Sequence, residues 1–97
     1  MSVELRDLRW AITASQHRSL RQAAEHLNIR QSTLSRHLRD MEILLGVELF
    51  ERTNCGTIPT IISLEFLETA RPIVEEIDAA FARLKAMSDD QTGRLTV

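Results

Sequence analysis

Apolar residues recur at helical spacing over most of the chain. Leu5, Leu8 and Ile12, with Ala11 beside them, mark one stripe of a first helix over residues 4–16. A polar pair, His17-Arg18, follows. Ser19 then opens S-L-R-Q, a capping box in which its hydroxyl can accept from a first-turn amide while Gln22 reaches back. Leu20, Ala23, Ala24 and Leu27 form the apolar face of a short second helix. Asn28 tolerates the left-handed backbone that ends a helix. Ile29 fills the gap, and a third helix is predicted to open near Gln31. Its apolar positions are Leu34, Leu38, Met41 and Leu45, and it stops at Gly46.

Val47 to Phe50 is predicted to be a brief helical turn that closes the core with Leu49 and Phe50. Residues 51–60 carry Gly56 and Pro59 and read as a turn with a short extended segment, suited to a hairpin wing. Helical periodicity then returns. Phe66, Ala70, Ile73, Ile77, Ala80, Leu84 and Met87 alternate in steps of four and three, the seam of a coiled coil. The predicted helix, 61–87, is longer than so small a domain can cover. It either folds back on its own core or pairs with a second chain, and the regular seam favours pairing. Pro72 removes the hydrogen bond to the Glu68 carbonyl and is expected to kink the helix. Residues 88–93 read as a linker, and Arg94 to Val97 alternate like the start of a strand. The expectation is a piece of a longer protein, with residues 88–97 a hinge and the first strand of a further domain.

Composition narrows the function. The chain has 97 residues, 43% of them apolar and 27% charged, which suits one small globular domain rather than a large enzyme or a disordered segment. One cysteine excludes an internal disulfide framework. No apolar run is long enough to span a bilayer and the first residues are polar, so a cytoplasmic protein is expected, with no membrane partner. The net charge is −2, but its distribution is uneven. Between His17 and Arg39 lie five arginines (18, 21, 30, 36, 39) and one acid, Glu25, a local excess of four positive charges. From Ile61 onward seven acids face four bases. The middle of the chain is basic and its tail acidic.

Two short helices joined by a tight turn, the second basic, make a helix-turn-helix. In that motif the second helix enters the major groove of DNA and the first crosses the backbone. With Leu34 and Leu38 inward, Arg30, Gln31, Ser32, Thr33, Ser35, Arg36 and Arg39 face solvent or DNA. Gln31 can read adenine and Arg36 guanine through paired hydrogen bonds. Ser32 and Ser35 suit a phosphate or a base equally. Asp40 could compete for Arg36, and Glu42 or Glu25 for Arg39. Arg18 and Arg21 lie where the first motif helix meets the backbone. No acid occurs from Asn28 to Arg39, as a polyanion's surface requires.

Residues 21–53 closely resemble the DNA-binding domain of LysR-type bacterial transcriptional regulators. The pieces A-A-x-x-L, Q-S-x-L-S-R and L-G-V-x-L-F-x-R-T occur in order with that family's spacing, and the likeness extends over about residues 4–97. The resemblance implies a mainly α fold: a winged helix-turn-helix over 1–60, then a long C-terminal dimerisation helix. It implies a homodimer, a tetramer in the full-length protein, and a further domain that binds a small inducer. The expected target is an interrupted inverted repeat near a promoter. Gln31, Ser32, Ser35 and Arg36 fall on the family's recognition-helix positions, Arg52-Thr53 on its wing entry, and Thr60 on the threonine before the long helix. Three departures stand out. The wing from Asn54 to Pro59 has no charge, Ile62-Ser63 replaces the usual Ala-Gly, and Arg30 stands where a small capping residue is common. The missing cap costs about 1 kcal/mol but puts a cation near the phosphates.

Other chemistries find little support. There is no glycine-rich phosphate loop and no spaced nucleophile and base, so no enzyme and no cofactor are expected. His26, His37 and Cys55 lack the close spacing of metal ligands. Trp10 reads as a core or interface aromatic. A helical adaptor that binds protein would use the Phe66–Met87 seam equally well, but it gives no reason for the basic, acid-free third helix.

Overall fold

In this computed structural model, which describes residues 2–54 and 56–95, the elements run α1 (Leu5–Gln16), α2 (Leu20–Leu27), α3 (Gln31–Leu45), β1 (Phe50–Thr53), β2 (Gly56–Pro59) and α4 (Ile61–Leu95). Local chemistry sets most boundaries. Ser19 Oγ accepts from the Gln22 amide at 3.2 Å and starts α2. Asn28, at φ 61°, stops it in the left-handed conformation, and the next amide, Ile29, donates to the Ala24 carbonyl. Gly46, at φ 67°, stops α3 in the same way and donates to the Glu42 carbonyl at 2.8 Å. Arg30 precedes α3 with no side-chain cap, as its residue type predicts.

The three short helices enclose one core. Ala11 and Ile12 of α1, Leu20, Ala23 and Ala24 of α2, and Leu34, Leu38 and Met41 of α3 are buried together. Leu49 and Phe50 close it from the wing side, as expected, but not as a helical turn. The left-handed cap at Gly46 redirects the chain. The amides of Leu49 and Phe50 then donate to one carboxylate oxygen of Glu42, at 2.7 and 3.1 Å, instead of to helical carbonyls. The segment runs extended into β1, which pairs antiparallel with β2, Phe50 opposite Pro59 and Thr53 opposite Gly56. This hairpin is the expected wing.

Thr60 joins the wing to α4. Its hydroxyl donates to the Glu48 carbonyl at 2.9 Å and accepts from the Ser63 amide at 3.3 Å, capping the long helix. Leu67, Ala70 and Val74 bury one stripe of α4 in the head. That stripe is offset from the heptad seam. Phe66, Ile73, Leu84 and Met87 stay exposed, Ile77 is half-buried, and only Ala70 serves both faces. Ser63 is fully buried, and its hydroxyl has no hydrogen-bond partner among the described residues.

The long helix continues through Pro72 as one element and reaches Leu95, past the end expected at Met87. Residues 88–93 are therefore helical, not a linker, and Arg94 and Leu95 are helical, not strand. Once a helix is running, each residue adds a hydrogen bond, and Ser, Asp, Gln and Thr oppose this only weakly. Gly93 costs about 1 kcal/mol and no proline follows it. Thr96 and Val97 lie outside the described residues. The molecule is a small head on a rod, 60 Å long and 24 Å across.

Candidate nucleic-acid interface

Helices α2 and α3 form the helix-turn-helix, with the turn at Asn28. Burying Leu34, Leu38 and Met41 fixes the rotation of α3. Arg30, Gln31, Ser32, Arg36 and Arg39 then project into solvent, and Thr33 and Ser35 are half-buried at the edge of the same face. Arg18, before α2, and Arg21, in its first turn, are exposed as well.

The wing is tied to this face at two points. Arg52 of β1 donates from Nη2 to Ser35 Oγ of α3 at 3.2 Å. A Cβ placed on Gly56, which sits at φ 121°, would meet the Arg18 carbonyl oxygen at 3.5 Å. The hairpin thus bridges from the recognition helix to the entry of α2. Thr53, exposed at the end of β1, donates its hydroxyl to the Gly56 carbonyl at 2.9 Å and closes the hairpin. The structure therefore brings Arg18, Ser35, Arg52 and Thr53 into one region around the exposed side of α3. The Ser35–Arg52 link was not legible from either residue alone, because it spans two elements.

The arginines of this face keep their charge unpaired. Among the described residues, ion pairs join Arg6 to Glu4 and Arg9 to Asp78, and His37 faces Asp7; none involves Arg18, Arg21, Arg30, Arg36, Arg39 or Arg52. Glu42 does not compete for Arg39, since its carboxylate holds the Leu49 and Phe50 amides. Asp40 and Glu25 take neither Arg36 nor Arg39. An uncompensated cluster of guanidinium groups beside hydroxyl and amide side chains is chemistry for phosphates and base edges.

The histidines are placed apart from this chemistry. His37, although on α3, turns to α1: its Nδ1 lies 3.7 Å from Asp7 Oδ1 and its ring meets Trp10 edge-on at 4.7 Å. Trp10 is a packing aromatic, with the Arg6 guanidinium 5.3 Å above its ring. His26 lies beside His17, ring centroids 5.1 Å apart, rather than beside His37. Cys55 lies outside the described residues. Among the described residues no group of three or more potential metal ligands occurs. No helix among them is long and apolar enough to cross a membrane.

The model of the bacterial regulatory helix-turn-helix proteins of the lysR family matches residues 5–61. The chain belongs to the LysR family. It is 35% identical over 95 residues to the HTH-type transcriptional regulator ClcR of Pseudomonas putida, covering 98% of this chain and 32% of that one. It is 32% identical over 97 residues to the HTH-type transcriptional regulator YnfL of Escherichia coli strain K12, covering all of this chain and 33% of that one. The chain thus spans about a third of the length of these LysR relatives. Among solved structures, the DNA-binding domain of CbnR in complex with DNA superposes with a TM-score of 0.78 at 31% identity, covering 89% of this chain and 99% of that one. The winged helix-turn-helix and the long C-terminal helix are therefore the LysR architecture, and the chain is of a transcriptional-regulator family, not an enzyme family.

Proposed function

We propose that the chain reads double-stranded DNA in the major groove as a homodimer, as the DNA-binding part of a transcription regulator. The observation that carries this reading is the exposed, acid-free first half of α3, with Arg52 of the wing bonded to it at Ser35. Gln31 and Arg36 read base edges. Arg18, Arg21, Arg30, Arg39 and Arg52 hold phosphates, with Ser32, Thr33, Ser35 and Thr53 completing the contact. The wing adds little attraction of its own beyond Arg52, since Asn54 to Pro59 carry no charge and Glu51 of β1 is an acid.

Dimerisation falls to α4. Near the head its exposed face borders an apolar groove of about 240 Å³, lined by Leu5, Leu8, Phe66, Ile73 and Ile77. At the free end Phe81, Leu84 and Met87 are exposed, and no described residue covers them. Two antiparallel copies of α4 would place each free end on the partner's groove and extend the Phe66–Met87 seam. Ala80 lies in that seam, and Ala70, already buried against its own head, contributes from the edge. The remaining two-thirds of a regulator of the usual LysR length would carry the inducer site and further assembly to a tetramer. This part needs no cofactor, and it works in the cytoplasm, where bacterial DNA lies.

The test is selection of this chain on random duplexes, followed by fluorescence anisotropy of the winner at several salt concentrations. The expected result is an interrupted inverted repeat near which affinity falls steeply with salt. No enrichment, with weak binding flat in salt, overturns the reading and leaves α4 as a protein-docking helix.

A further inference from the structure

We propose that the Arg9–Asp78 ion pair, acting beyond the weak point at Pro72, fixes the angle at which α4 leaves the head and so sets the half-site spacing the dimer accepts. The proposal rests on the dimeric DNA-reading function above.

The head grips α4 in two stretches. The first is Thr60 to Ala70, held by the Thr60 cap and by burial of Ser63, Leu67 and Ala70. The second comprises buried Val74, half-buried Ile77 and Asp78, which pairs with Arg9 of α1. Every residue from Ala79 to Asp90 is exposed, so Asp78 is the last described side chain of α4 bonded to the head. Pro72 lies between the two stretches. It has no amide hydrogen, so the Glu68 carbonyl loses its helical donor and the backbone ladder is weakest there.

The contact between α1 and α4 places Ile12, Leu67 and Val74 in the shared core, and grooves flank it on both sides. On one flank is the apolar groove of about 240 Å³ beside Leu5 and Leu8. On the other are grooves of about 170 and 280 Å³, floored by Ile12 and edged by Gln16 and Arg71. In the dimer proposed above the partner's free end occupies the Leu5–Leu8 groove, so the side left open for α4 to tilt is the one edged by Gln16 and Arg71. Arg9 and Asp78 both line the larger of the two grooves on that side and pair with each other there. Glu75 and Arg71 line the same groove, and neither makes an ion pair among the described residues. Among the described residues the Arg9–Asp78 pair is thus the one ion pair between the head and the second stretch, and it opposes lifting of that stretch.

The lever beyond this tie is long. From Asp78 to Leu95 the helix extends about 25 Å, so a tilt of about 10° moves its end by about 4 Å. One base-pair step along a strand is about 3.4 Å. A rocking motion of that size at the tie is enough to shift the partner's recognition helix by one base pair.

The experiment measures affinity for duplexes carrying the selected half-site in inverted orientation, with the spacer changed one base pair at a time. This chain is compared with Arg9→Ala, with Asp78→Asn and with the charge exchange Arg9→Asp plus Asp78→Arg. Sedimentation and affinity for a lone half-site are measured alongside. The wild-type chain is expected to show a single preferred spacer. Either single variant should shrink the loss at one base pair from that optimum by about two- to fivefold, the range open to an exposed ion pair. Lone half-site affinity and the dimer should stay unchanged, and the exchange should restore the sharp optimum. A spacer profile that the single variants leave unaltered, with a sharp wild-type optimum and an intact dimer, overturns this proposal alone. A wild-type monomer with no preferred spacer overturns the dimeric reading, and this proposal with it.

Discussion

Glu42 shows how one side chain can hold a functional element from a distance. Its carboxylate accepts the amides of Leu49 and Phe50, which would otherwise be unpaired at the entry to the wing. The wing in turn places Arg52 on Ser35. Glu42→Ala should lower stability by about 1–3 kcal/mol, the cost of two amides left without an acceptor, and urea unfolding would measure it. A stability equal to wild type would mean that water replaces the carboxylate. The DNA-facing residues divide by what they touch. Gln31→Ala and Arg36→Ala should each lose about 1–3 kcal/mol of discrimination between the selected duplex and a scrambled one. Arg18→Ala should instead weaken both duplexes alike and reduce the salt slope by about one unit. Equal losses on both duplexes for all three variants would show that Gln31 and Arg36 hold phosphates only. These exposed positions were readable from sequence because burial of Leu34 and Leu38 fixes the rotation of α3. The role of Glu42 was not, because its acceptor contacts lie beyond the helix in a segment with no periodicity.

Helix limits set by local chemistry were legible, and limits set by tertiary contacts were not. Ser19, Asn28 and Gly46 act within four residues of themselves, and each stands where its residue type predicts. Val47 to Phe50 lacks such a signal, and its path depends on Glu42 and on Thr60, whose amide donates to the Leu49 carbonyl at 2.9 Å. The long helix carries two apolar stripes, and sequence spacing revealed only the heptad seam. Leu67 and Val74 also lie seven apart, so periodicity alone cannot say which stripe belongs to the chain's own core. The structure assigns Leu67 and Val74 to the head and leaves Leu84 and Met87 uncovered. This separation sharpens the test of dimerisation. Leu84→Asp combined with Met87→Asp should yield a monomer in sedimentation, with the head's thermal unfolding unchanged. Ile77 is a poorer choice, since it is half-buried within the chain and its replacement would also disturb the head. An intact dimer in the double variant would move the interface elsewhere.

At the scale of the whole molecule, charge follows shape. The basic residues of the middle of the chain are exposed on the helix-turn-helix, and Glu65, Glu68, Glu75, Glu76 and Asp78 are exposed along the first half of α4, where the head holds it. The fold class and the polarity of charge were both visible in the sequence. The reach of the rod was not, because no residue near position 88 forbids a helix and none demands one. Beyond the head, residues 79–95 carry three bases, Arg83, Lys85 and Arg94, against two acids, Asp89 and Asp90. The charge separation runs instead from the exposed face of α3 to the first half of α4, and it acts as an electric compass needle in the field of a polyanion. As the molecule drifts toward a duplex, the field turns the face of α3 inward and the Glu65–Asp78 stretch of α4 outward before any base is touched. Collisions that would bring this acidic stretch of α4 against the DNA are disfavoured on approach, so more encounters begin in the orientation from which α3 can enter the groove.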